Sequence, residues 1–126
     1  MRTPDADVGS RVRLAIRRQA GICVVYVEGD VDAATLHEFQ ERMERLLQEG
    51  DTRIVLNARG LSFANTATFG FLYYLHETLQ RRGGYFLLCE LSPKINRIVN
   101  MLGLARRLAV YRTEEAALAA ARSGEG

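Results

Sequence analysis

Residues able to do chemistry are few in this chain, and they are densest in one stretch, Leu61-Ser-Phe-Ala-Asn-Thr-Ala-Thr-Phe-Gly-Phe-Leu72. Small hydroxylic and amide side chains there open an otherwise apolar segment. The simplest use of Asn65 or Thr66 is to accept hydrogen bonds from the free N–H groups of a helix start. The same place allows a second use. A hydroxyl at a helix N-terminus is open to solvent and sits in the positive end of the dipole, so it suits a phosphoryl group. The added charge would then abolish docking on a neutral surface.

Other constellations are poor. His37 and His76 fall on the polar faces of two helices with no third ligand at metal spacing, so no metal site is expected. Cys23 and Cys89 each lie within an apolar run and read as small buried hydrophobes. Neither a Gly-x-Gly-x-x-Gly turn nor a Gly-x-x-x-x-Gly-Lys loop occurs, and no Ser or Cys sits on a Gly-x-Ser-x-Gly elbow. No acid–base pair emerges either. The residues predict no enzyme and no cofactor.

The elements that must hold the Thr66 stretch follow from periodicity. Arg11 to Arg17 alternates, with Val12, Leu14 and Ile16 on one face and arginines on the other, and predicts a half-exposed strand. After a turn at Gly21, the β-branched run Ile22 to Val27 predicts a buried strand that pairs with it as a hairpin. Glu28 to Asp32 is expected to break this strand, with Asp32 as the N-cap of an amphipathic helix on Leu36, Phe39, Met43, Leu46 and Leu47, ended by Gly50. Arg53 to Asn57 then predicts a short strand parallel to the second, followed by a loop through Gly60. Thr66 to Arg82 reads as a largely buried helix, Tyr85 to Cys89 as a parallel strand, and Ser92-Pro93 as a capped helix start running to Gly103. Leu108 to Tyr111 predicts a last short strand, and Thr113 to Arg122 an alanine-rich helix. The order β-β-α-β-α-β-α-β-α implies an α/β layer structure: a mixed sheet, first strand antiparallel and the remainder mainly parallel, packed against about four helices.

Length and composition agree. The chain has 126 residues, 48% hydrophobic and 25% charged with 2 prolines, which fits one soluble globular domain over residues 11–122 with flexible ends at 1–10 and 123–126. A net charge of +2 predicts neither nucleic-acid nor membrane-surface binding. No apolar run approaches the roughly 18 residues of a membrane span and no secretory segment follows Met1, so a cytoplasmic location is expected. All the basic residues except Lys94 are arginine.

The string from Ile54 to Leu72 resembles the signature of STAS domains, the fold of bacterial anti-sigma factor antagonists: an apolar strand, a loop, then Asp-Ser-Ser-Gly opening a helix of small and apolar residues. Glu28-Gly-Asp-Val-Asp32, similar to the family's Gly-Glu-Leu-Asp, the Ser92-Pro93 helix start and the final Glu-Glu-Ala-Ala-Leu fall in order, so the likeness covers roughly Val12 to Ala121. The resemblance places Thr66 at the family's phosphorylatable Ser or Thr. Asn65 stands for the preceding Asp, Ala67 for the second hydroxyl, Thr68 for the Gly and Asn57 for the strand-end Asp.

The resemblance implies an anti-sigma factor antagonist that binds a GHKL-type serine kinase/anti-sigma factor, with a PP2C-type phosphatase to reverse phosphorylation of Thr66. The expected partner surface comprises Asp30, Asp32, Asn65, Thr66, Ala67, Thr68 and Phe69. An alternative is the STAS subunit of a bacterial lipid-transport ABC complex, contacting its ATPase without phosphorylation. A stand-alone enzyme is the third reading, for which no catalytic set is present.

Overall fold

The structure, a computed structural model, describes residues 11–123; the end expected to be flexible at 1–10, and residues 124–126 of the one expected at 123–126, lie outside the described residues. Of the end expected to be flexible at 123–126, Ser123 is described: it is the C-cap residue of the last helix and its hydroxyl donates to the Ala120 carbonyl at 2.9 Å. The elements are β1 (Val12–Gln19), β2 (Ile22–Val31), α1 (Leu36–Gln48), β3 (Arg53–Ala64), α2 (Thr66–Arg81), β4 (Tyr85–Cys89), α3 (Pro93–Met101), β5 (Ala109–Tyr111) and α4 (Glu114–Arg122). The five strands form one sheet in the order β1-β2-β3-β4-β5. β1 is antiparallel to β2 and every later pair is parallel, as the sequence pattern predicts.

Alternation along the buried strands sorts their side chains onto two faces. Val25, Val27, Ile54, Leu56, Phe86 and Leu88 meet Phe39 and Met43 of α1, Phe69, Leu72, Leu75 and Leu79 of α2, and Ile95 and Val99 of α3. On the other face Val24, Val55 and Leu87 meet only α4, through Ala117, Leu118, Ala120 and Ala121. Large side chains such as Phe39, Phe69, Phe86 and Met43 are fully buried, each contributing about 1.5 to 3 kcal/mol of transfer free energy. Three helices on one face therefore carry most of the core.

Two strands are longer than the sequence implies. β2 does not break at Glu28 but continues to Val31, and β3 replaces the expected loop by continuing from Asn57 to Ala64. Polar residues and glycines in these extensions disguise them, although Val31, Ala58, Leu61 and Ala64 are buried in the core and the rest is held by strand pairing. Glu28 pairs with Gly60, Gly29 with Leu61, Asp30 with Phe63 and Val31 with Ala64, and irregularities between Tyr26 and Glu28 and between Gly29 and Asp30 absorb the mismatch. Gly29 makes this possible. Its φ is +106°, and a Cβ there would lie 1.9 Å from the Arg11 carbonyl oxygen.

The first helix also starts later than expected. Thr35 is its N-cap residue without a side-chain cap bond, while Asp32 organises the turn before it.

Candidate functional site

The paired ends of β2 and β3 bring Asp30–Asp32 beside Phe63–Asn65, and α2 leaves directly from this corner. Asn65 is extended (φ −89°, ψ 174°) and its Oδ1 accepts the Thr68 N–H at 2.9 Å, so it is the N-cap and Thr66 is the first helical residue. The Asn65 N–H donates to the Val31 carbonyl at 3.2 Å, which ties the helix start to the end of β2. Thr68 adds a second tie. Its hydroxyl lies 3.1 Å from the Val31 oxygen and 2.7 Å from Asn65 Oδ1.

Consequently the expected partner surface divides. Thr66 and Ala67 are exposed, Asn65 is half-buried, and the Thr66 hydroxyl engages no other described residue. Thr68 and Phe69 are each 1% exposed, which corrects their assignment to the surface. They form its support, because positions three and four residues beyond the N-cap point back under the helix into the sheet. Phe63, 41% exposed, joins the surface instead; its apolar character hid it from a reading that assigns large hydrophobes to the core.

On the β2 side, Asp32 Oδ1 accepts from the backbone N–H groups of Ala34 (2.9 Å) and Thr35 (3.2 Å), and Oδ2 is bonded by the Arg11 guanidinium. Thr35 Oγ1 donates to the Asp30 carbonyl at 2.7 Å and accepts from the Asp32 N–H at 3.0 Å. Desolvation by itself would raise the Asp32 carboxyl, but the Ala34 N–H, the Arg11 charge and the Thr35 hydroxyl and N–H together hold it below the usual carboxylate range. Asp30 lies 3.9 Å from Arg11. Asp32 is thus held by several donors, and both aspartates are partly exposed beside Arg11, although Arg11 and Thr35 were not singled out from the sequence. The spacing Asp32-x-x-Thr35 is the one local signal that pointed there.

Asn57 belongs elsewhere. It is buried on the α4 side of the sheet, where its Nδ2 donates to Glu114 Oε1 at 2.8 Å, and Tyr26 and Arg17 donate to Glu114 Oε2 at 3.1 Å each. An aspartate at 57 would set two carboxylates against each other, so Asn at this position suits Glu114 rather than the Thr66 corner. A surface cleft of about 760 Å³ opens beside this network.

The remaining reactive groups are placed against chemistry. Cys23 and Cys89 are buried on opposite faces of the sheet, and burial first of all pushes their thiols up to about 11 and about 12. His37 is exposed beside Glu41, as expected, whereas His76 is half-buried against the Tyr73 ring rather than on a polar face. Among the described residues no group of three or more His, Cys, Asp or Glu is arranged to hold a metal ion.

The hydroxyl-bearing helix start clipped to the end of a parallel strand pair lies within a longer match: the model of the STAS domain family matches residues 13–117. The chain belongs to the STAS domain family. It is similar to the anti-sigma F factor antagonist of Paenibacillus polymyxa, with 23% identity over 108 residues covering 85% of this chain and 92% of that protein. Among solved structures, an anti-sigma factor antagonist from Mycobacterium paratuberculosis superposes with a TM-score of 0.80 at 22% identity, covering 88% of this chain and 94% of that one. The anti-sigma factor antagonist SpoIIAA in its unphosphorylated form gives 0.73 at 20% identity, with 88% and 97% covered. SpoIIAA has also been solved in a phosphorylated form, as a Bacillus cell fate determinant, with a TM-score of 0.64 at 20% identity and 85% and 97% covered. Within this STAS domain no helix of the described residues is long and apolar enough to cross a membrane.

Proposed function

We propose that this STAS domain is an anti-sigma factor antagonist, a binding protein without catalysis of its own. It docks on a GHKL-type serine kinase/anti-sigma factor, is phosphorylated on Thr66, and is restored by a PP2C-type phosphatase. The exposed, unengaged Thr66 hydroxyl at the first position of α2, flanked by the fixed Asp30–Asp32 turn, is the observation that carries this reading. Names of relatives support it, as does the existence of a phosphorylated form of SpoIIAA.

Geometry also explains how such a switch would act. Asn65 occupies the Thr68 N–H, which leaves the N–H groups of Thr66 and Ala67 at the open, positive end of α2. A phosphate on Thr66 would be favoured by that helix end, so the modified chain keeps its fold. What changes is the surface: roughly −1.5 to −2 charges enter it, and docking is opposed by repulsion and desolvation.

Purified chain incubated with its cognate kinase and ATP is expected to gain one phosphate, located at Thr66 by mass spectrometry, and to leave the kinase. Thr66→Ala should stay bound and unlabelled, and Thr66→Glu should bind at least tenfold more weakly. Binding that persists with no label at Thr66 would remove the switch and leave the docking role. Co-purification with a membrane ATPase complex and no kinase binding would transfer the site to the lipid-transport role.

A further inference from the structure

The charge of the chain is unevenly placed. Between Leu91 and Thr113 stand five basic residues and no acidic one, while the rest has twelve basic against fifteen acidic residues. The near-neutral total hides this segregation. α3 turns Ile95 and Val99 into the core and leaves Lys94, Arg97 and Met101 exposed. On a helix that advances about 100° per residue these three fall within an arc of about 60°, so they make one stripe. Met101, at 77% exposure, ends it with an unburied apolar side chain.

One contact joins this stripe to the Thr66 corner, and a second sets Arg107, a cation of the same segment outside the stripe, against α2. Lys94 Nζ lies 5.9 Å from the centroid of the Phe63 ring, and the Arg107 guanidinium carbon lies 5.7 Å from that of Tyr73. Phe63 immediately precedes the Ala64–Asn65 entry to α2, and Tyr73 lies two turns beyond Thr66 on the same side of that helix. The arginines of the hairpin are differently engaged. Arg13, Arg17 and Arg18 each pair with a carboxylate of this chain, at 3.0, 3.1 and 2.6 Å, whereas Lys94 and Arg107 are exposed residues whose cations lie over aromatic rings.

We infer that the stripe Lys94–Arg97–Met101, joined to Phe63 through Lys94, is the electrostatic half of the docking surface and takes an acidic face of the partner protein with an apolar socket for Met101. This rests on the docking role proposed for Thr66. Exposed cations around an apolar anchor steer an acidic partner and fix its orientation. An anionic membrane is the poorer occupant, because the apolar stripe of α3 faces the core and leaves little to insert. A phosphate on Thr66 then also cancels part of the positive field that attracts the partner.

The test is calorimetric titration of the full chain against its cognate kinase at 50 and 500 mM salt, with circular dichroism confirming the fold of each variant. Lys94→Glu/Arg97→Glu should bind about 10- to 100-fold more weakly at low salt, and the gap should narrow to about threefold at high salt. Met101→Ser should weaken binding about tenfold at both salts, and Arg122→Glu, exposed on α4, should bind as the wild type. If the wild type binds and the double variant binds equally, the inference is overturned and the docking role stands. If the wild type does not bind the kinase at all, both fail. Sedimentation of the wild type but not the double variant with phosphatidylserine vesicles, at equal kinase affinity, would overturn it in favour of a membrane.

Discussion

Thr68 stands two residues, about half a helical turn, beyond the exposed Thr66, and the structure gives it a structural role that Thr68→Val isolates. Valine keeps the β-branched shape, so no cavity opens; what disappears is the hydroxyl between the Val31 carbonyl and Asn65 Oδ1. Neither acceptor is orphaned. The Val31 oxygen keeps the Asn65 N–H at 3.2 Å, and Asn65 Oδ1 keeps the Thr68 N–H at 2.9 Å. The cost is therefore one net hydrogen bond, about 1 kcal/mol, and not the further 1 to 3 kcal/mol, roughly, of a buried group left unpaired. In a domain of this size that lowers Tm by about 3 to 6 °C. Urea titration should show a lower midpoint at unchanged m, since the surface exposed on unfolding is the same. Because Thr68 is 1% exposed, partner affinity should change less than about threefold. Stability within about 0.3 kcal/mol of wild type combined with a loss of binding beyond tenfold would show that the hydroxyl meets the partner and that the burial argument is wrong.

Two further outcomes follow from the same corner. Gly29→Ala should destabilise by at least about 2 kcal/mol in urea titrations, since a side chain at φ +106° is strained and its Cβ meets the Arg11 carbonyl oxygen; wild-type stability would show that the β1–β2 backbone yields without cost. The Asp32 carboxyl has a folded-state pKa below its unfolded value near 4, so its stabilisation is complete above that value and is lost as pH falls through the lower folded one. Urea midpoints of wild type should therefore drop more steeply than those of Asp32→Asn on acidification below about pH 4, and parallel curves would contradict the assignment.

Much of this architecture was legible because its signals are local. Hydrophobic spacing placed α1 to α4, Ser92 and Thr113 cap α3 and α4 as their sequence positions imply, with side chains accepting from Ile95 and Ala116, and the apolar runs located the centres of β2, β3 and β4. Strand ends were not legible. Glu28 to Val31 and Ala58 to Ala64 look like loops because their pairing depends on a neighbouring strand more than thirty residues away, and no local pattern encodes that partner.

The candidate site divides along the same line. Sequence alone determined that a hydroxyl stands at the start of a buried helix after a strand, because capping and motif spacing are properties of neighbouring residues. Only the tertiary structure decided which hydroxyl is exposed, Thr66 rather than Thr68, since that depends on how α2 is clipped to Val31 across the sheet. It also decided where the arginines act. Charge counts along a chain carry no direction, and packing turned a near-neutral total into a hairpin whose arginines are paired and a positive stripe beside Phe63.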